Sequence, residues 1–450
     1  MAWINYALRR AVAAAAMLVL MCVAHLCRPV RAAVAAGDFT LEQRTHTLQF
    51  LRQLSGSAAG LQSTWTGTNF CQWPGVTCVD ATTVNVELAK ASLGSAVVLP
   101  ELGDDMDGSQ VMVRQLGLAK QGTLLTGTLP ASWSRLSQLR VVDLQFNGIT
   151  GELPESWGGM TGLTALYLTG NGVSGSLPAA WSGMASLKEL RVSSNKLSGA
   201  LPAAWSGMAS LEMLNLMSNT LTGPLPAEWG GMTTLSRLYL NNNALSGSLP
   251  AAWSGMTALL SLMLYDNGLS GTLPAEWAGM RSLQTLSLWM NALSGTLPED
   301  WGSLSALTTV GLNNNALSGS LPASWGSLPA RALVRVDGNV MCGCVPASWA
   351  ALSVKADASV TASTCAAANA CGWMGVLTSA QAQTVKFLRG FASSAAGLQS
   401  TWTGTDFCRW PGVTCGRDDG GRGLVAAVAG VCGGAAGARR RRGRVAGDGA

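Results

Sequence analysis

The chain has 450 residues, with 54 Gly, 17 Trp and 48% hydrophobic residues, but only 12% charged residues, 4 Tyr and 2 His. That hydrophobic content excludes a disordered chain, and the bias toward few residue types points to one motif copied many times. Removing the four arginines of residues 1–31 and the net +4 of residues 439–450 turns the formal +5 into −3, so the body has no electrostatic footprint for nucleic acid.

Residues 1–36 read as a secretory signal. Arg9 and Arg10 supply the positive start, Ala11 to Cys27 is apolar except for His25, and Ala33-Val34-Ala35 offers a small-x-small cleavage site. An uncleaved anchor is the alternative, because the apolar run is just short of a full span. Either way the body faces an oxidising compartment, secreted or at the cell surface, where paired cysteines are the default.

Residues 37–110 are expected to form an N-terminal cap. The amphipathic stretch Thr47 to Leu54 leads into Trp65 and then Cys71-Gln-Trp73-Pro-Gly-Val-Thr-Cys78. Cys71 and Cys78 are expected to form a disulfide over the open end of the core. A zinc site would need two further ligands nearby, and only His46 is at hand.

Residues 111–350 carry the repeat. Leu-Pro recurs every 24 residues from Pro130 to Pro322, Val345-Pro346 continues the series, and a tryptophan follows three residues after each proline, from Trp133 to Trp349. Each unit reads L-x-x-L-x-L-x-x-N-x-L-x-G-x-L-P, as in Leu235, Leu238, Leu240, Asn243, Leu245, Gly247 and Leu249. This is a leucine-rich-repeat signature, and its G-x-L-P extension resembles the plant-specific class. The expected fold is an α/β-type right-handed solenoid of about ten units with disulfide caps.

The spacing assigns a role to each part of the unit. The L-x-L stretch alternates, so it predicts a short strand with leucines inward, and ten such strands would stack as one parallel sheet about 43 Å long. The asparagine (Asn147 to Asn339) is expected to bond backbone groups where the chain bends away from strand pairing. Trp, Met and Leu three apart, as in Trp181, Met184 and Leu187, predict a 3₁₀-like turn whose tryptophan packs in the core. The first unit places Thr123 where the asparagine should be, and the last replaces its leading leucine with Arg331, as terminal units often do.

Residues 351–376 read as a cysteine cap. Cys342 and Cys344 are expected to pair with Cys365 and Cys371, either in that order or crossed. Residues 377–415 hold a second, truncated copy of the N-cap: 384–415 matches 47–78 at 24 of 32 positions, and Cys408 and Cys415 mirror Cys71 and Cys78. Residues 416–450 are a Gly/Ala/Arg-rich tail, expected to be disordered. We read it as a shifted or truncated frame after a tandem fusion, the alternative being a purposeful basic tail.

Taken together, the signal, the G-x-L-P-x-x-W-x-x-M units and the Cys342-Gly-Cys344-Val-Pro-x-Ser-Trp349 cap resemble the promastigote surface antigen family of Leishmania, also called surface antigen protein 2. The resemblance covers residues 1–376 and, separately, the second N-cap. It implies a parasite surface or shed glycoprotein engaging host molecules, commonly through a lipid anchor. The sequence departs from the family in lacking a Thr/Pro-rich stalk and a terminal hydrophobic tail, so attachment to a membrane is expected only through an uncleaved signal or an anchor not evident here.

Catalysis has little to work with: His46 is the one histidine beyond the signal, and no phosphate loop, H-E-x-x-H or nucleophile elbow occurs. No enzyme activity, cofactor or metal is expected. The variable strand positions instead gather Tyr167, Arg191, Arg237, Tyr239, Tyr265 and Trp289, residue types that dominate protein interfaces. These predict a concave face for a host or extracellular protein, for adhesion. An inhibitor of a secreted enzyme, or a fused gene product without function, are the competing readings.

Overall fold

The computed structural model describes residues 38–56, 58–88, 93–357 and 360, together with two short strands at 413–417 and 424–428. In each unit the L-x-L stretch is a three-residue strand, such as Arg237–Tyr239, whose central leucine is fully buried between two more exposed neighbours. Because the unit length is fixed, each leucine pairs with its counterpart one unit away: Leu190, Leu214, Leu238, Leu262 and Leu286 share one register row. Thirteen strands form this sheet, from Val76–Asp80 to Ser353–Lys355; the first pair is antiparallel and the rest parallel.

Past that strand the chain bends, and its backbone groups lose strand partners. The asparagine replaces them. Asn243 donates from Nδ2 to the carbonyls of Leu216 and Leu240, while its Oδ1 accepts the Leu221 amide one unit back. The same set recurs at Asn171, Asn219, Asn291 and Asn315. The chain then enters a second strand, such as Ala244–Ser248, and eleven of these form a second sheet. The sequence pattern gave one sheet only, because a glycine at positive φ (Gly247, +79°) interrupts the alternation that marks a strand.

The Leu-Pro then starts a five-residue 3₁₀ turn, such as Ala227–Gly231 after Pro226. Proline suits this start, since its fixed φ is helical and its missing N–H needs no partner. Its carbonyl has a further task. The indole N–H of each of the ten turn tryptophans, spaced 24 residues apart from Trp133 to Trp349, donates to the proline carbonyl of the preceding unit (Pro100 for Trp133) at 2.8–3.0 Å. The ten buried indoles lie parallel within 3–12°, with neighbouring centroids 5.7–6.4 Å apart. Hydrogen-bonded strands sit about 4.8 Å apart. The stack therefore fans out on the tryptophan side and closes on the thirteen-stranded sheet, whose face is concave.

The N-terminal end is closed by the helix Leu41–Ser55, started by a capping box between Thr40 and Gln43. Its Phe50 meets Trp133 edge-on at 6.1 Å, ending the indole file. Trp65 and Trp73 stack beside it at 5.3 Å, and Cys71–Cys78 is a disulfide. At the other end Cys342 and Cys344 are both disulfide-bonded. Cys365, Cys371 and Cys408 lie outside the described residues, as do the side chain of Cys415, the signal and most of the second N-cap. Within the tail, Leu424–Val428 pairs antiparallel with Val413–Arg417.

Two details of the terminal units differ from the pattern. Gln121, not Thr123, takes the asparagine's place: its Nε2 donates to the carbonyls of Leu88 and Ala119, and it is nearly buried. Two extra residues before Leu129-Pro130 displace it from the spacing, and the second sheet shifts register there. Arg331 is exposed at a left-handed φ of 67°, and Ala332 is buried beside it.

Unit-to-unit contact is tightest at the glycine that follows certain tryptophans. A Cβ on Gly158 would lie 2.2 Å from the Ala180 carbonyl oxygen, whereas one on Gly159 would meet nothing within 4 Å. Gly158→Ala is therefore expected to destabilise by about 1–3 kcal/mol through overpacking, and Gly159→Ala by less than about 0.5 kcal/mol. Thermal or denaturant unfolding of the two variants checks the difference.

Candidate partner-binding face

The outward residues of the thirteen-stranded sheet and of the turn after it form rows across the concave face. From Val141 to Arg335, neighbours in a row are 24 residues apart in sequence and one strand apart in space. The predicted residues fall into two groups. Tyr167 and Arg191 meet on adjacent strands: the Tyr167 hydroxyl donates to Glu189 Oε2 at 2.9 Å, Arg191 bridges the same oxygen at 2.7 Å, and its guanidinium lies 5.0 Å from the Tyr167 ring centre. Arg191 Nε is buried without a partner.

The second group lies further along the stack. Tyr265 and Trp289 stack at 4.2 Å, nearly parallel, far closer than the 5.7–6.4 Å of the buried indoles on the convex side. Asn241 and Asn313 flank them in the same row, each buried with an Oδ1 lacking a hydrogen-bond partner. Tyr239 is half-buried beside them, and Arg237 is exposed at the edge of its strand. Three strands lie between the strand of Arg191 and the one that precedes Trp289, so the six predicted residues do not converge on one point.

Sequence reasoning passed over Met263 and Met290. Met263 pairs in register with Tyr239. Met290 is 45% exposed and sits at φ 55°, a position held by Gly170, Ser194, Ser218, Asn242, Asp266 and Asn314 in other units. The left-handed backbone costs about 1–2 kcal/mol for a residue with a Cβ that cannot bond locally. Phe146 occupies the same strained position near the other end and is also exposed. A comparison of this single position across units was the available signal.

Burial and the Glu189 carboxylate together push the Tyr167 phenol up to about 12. The neutral phenol is the form the fold favours, so its contribution is present at neutral pH and is lost as pH rises from about 10 through 12. Glu189→Gln removes the acceptor charge but not the burial, so Tyr167 is expected to titrate lower yet still above an ordinary tyrosine. Ultraviolet phenolate absorbance, differenced against Tyr167→Phe, checks this shift.

Several comparisons bear on this architecture. The model of the leucine rich repeat N-terminal domain matches residues 42–79 and again 385–416, and leucine rich repeat models match 176–221, 138–160, 234–256 and 282–304. The surface membrane glycoprotein GP46/M-2 of Leishmania amazonensis is 35% identical over 132 residues, which span 29% of this chain and 27% of that protein. Among solved structures, the Arabidopsis receptor kinase HAESA with the peptide hormone IDA and the co-receptor SERK1 is 27% identical, with a TM-score of 0.50 over 71% of this chain and 62% of that one. The complex PEPR1-AtPEP1 is 25% identical, with a TM-score of 0.51 over 70% and 51%. A plant ice-binding protein, 22% identical, shares the fold, with a TM-score of 0.53 over 74% and 99%. The chain has the leucine-rich-repeat fold, and over the matched 132 residues it is similar to a surface membrane glycoprotein of Leishmania.

Proposed function

We propose that the protein acts outside the cell as a recognition module whose concave face binds a host or extracellular protein, in adhesion rather than catalysis. The observation that carries this reading is the contrast between scaffold and face. Leucines, asparagines and tryptophans scarcely vary from unit to unit, while Tyr167 and Tyr239 on the concave sheet and Tyr265 and Trp289 in the turns after it all lie on the concave face. Aromatic residues and arginine are the types on which interface energy concentrates. Related folds support it: the HAESA structure holds a peptide hormone, and the Leishmania relative is a surface membrane glycoprotein. Among the described residues no helix is long and apolar enough to cross a membrane.

Binding of the full chain to host cell surfaces and serum proteins tests the reading. The double variant Tyr265→Ala, Trp289→Ala is expected to weaken binding at least tenfold. Ala203→Glu, on the exposed convex side, is expected to leave it unchanged. The reverse pattern overturns the reading.

A further inference from the structure

The middle of the concave face is apolar and its two ends are charged. Met213, Tyr239, Met263, Tyr265, Trp289 and Met290 come from four consecutive units and form one half-exposed band. Glu189 and Arg191 border it on one side; Arg335, Asp337 and Lys355 lie beyond it on the other. Gly311 leaves the edge of the Trp289 indole open, since a Cβ there would lie 3.3 Å from the indole Cδ1.

We propose that this band docks an amphipathic α-helix of two to three turns presented by the partner protein. The inference rests on the partner-binding reading above and names the element the partner supplies. Three observations favour a helix. Every strand beneath the band is hydrogen-bonded on both sides, so no backbone group on this face is free to receive an added strand, and recognition falls to side chains. The band spans three strand spacings, about 14 Å, which is the length of roughly nine helical residues. The band's methionines and aromatic rings can repack around an apolar stripe.

The flanks specify the polarity of the partner. Arg237 stands exposed at the strand-start edge of the band with no partner among the described residues, and Asp266 lies across the band at the strand-end edge, accepting a bond from Asn242 Nδ2 at 2.8 Å. The helix should therefore carry acidic residues along one flank of its stripe and basic residues along the other. Met290 is consistent with this use: a large apolar side chain is held outward where other units place small or polar residues.

The test uses the full chain and three labelled synthetic peptides of one composition. The first is an amphipathic helix with a leucine stripe, a glutamate flank and a lysine flank; the second carries the same glutamates and lysines intermixed on both flanks; the third is broken by proline. Fluorescence anisotropy is expected to show saturable one-to-one binding of the first, tenfold or more weaker binding of the intermixed peptide, and none of the broken peptide. Trp289→Ala should cost tenfold or more, and Arg237→Glu, which makes both edges of the band acidic, should abolish the preference for segregated flanks. Met290→Gly should weaken peptide binding while raising the unfolding midpoint, an outcome a purely structural role would not give. Equal binding of the broken peptide, indifference to the segregation of the flanks, or wild-type affinity in Trp289→Ala overturns the proposal. If the helix fails while Tyr265→Ala, Trp289→Ala still abolishes binding to host proteins, the helix falls and the partner face stands.

Discussion

The whole architecture depends on satisfying backbone polar groups at corners that no strand reaches. A chain coiled in 24-residue turns must bend three times per unit, and each bend buries amides and carbonyls away from water. One asparagine amide per unit answers three of these groups, reaching back to Leu216 and Leu221 in the case of Asn243. One indole N–H answers the proline carbonyl at the opposite side. Leaving such a buried group unpaired costs about 1–3 kcal/mol, so across ten units these two side chains decide whether the coil can exist. The leucines drive its collapse; the asparagines and tryptophans dictate its shape.

The same bonds explain the motif at the level of single residues. Proline precedes the tryptophan by three because its rigid backbone starts the 3₁₀ turn and its carbonyl awaits the next unit's indole. Glycine sits in G-x-L-P because the second sheet passes through positive φ there. At the N-terminal end the file of indoles cannot continue, and Phe50 of the cap helix closes it edge-on.

Much of this was legible because it repeats. A feature that recurs every 24 residues, such as the inward leucine, the turn tryptophan or the bonding asparagine, declares its role by its period. Features that break the period were not legible in the same way. Gln121 serves as an asparagine although two inserted residues hide the equivalence, and the second sheet is concealed by its glycines. The face was legible in part. Its aromatic residues stood out by rarity, but the meeting of Tyr265 with Trp289 and the separation of both from the Tyr167–Glu189–Arg191 cluster depend on how many strands lie between them. Met263 and Met290 went unnoticed because methionine is common in the scaffold, and only the left-handed backbone of Met290 sets it apart.

The reach of each bond has a genetic consequence. The asparagine and tryptophan contacts extend one unit back and no further, so a unit meets the same neighbour chemistry wherever it stands in the row. Unequal crossing-over between near-identical segments can therefore add or delete whole units while every corner stays satisfied. Indels of any other length break the ladder, and the one described here falls beside the N-terminal cap, where a glutamine is long enough to bridge the difference. Such a gene can lengthen, shorten and reshuffle its recognition face at the pace of recombination, while point mutation is left to adjust the rows between the leucines.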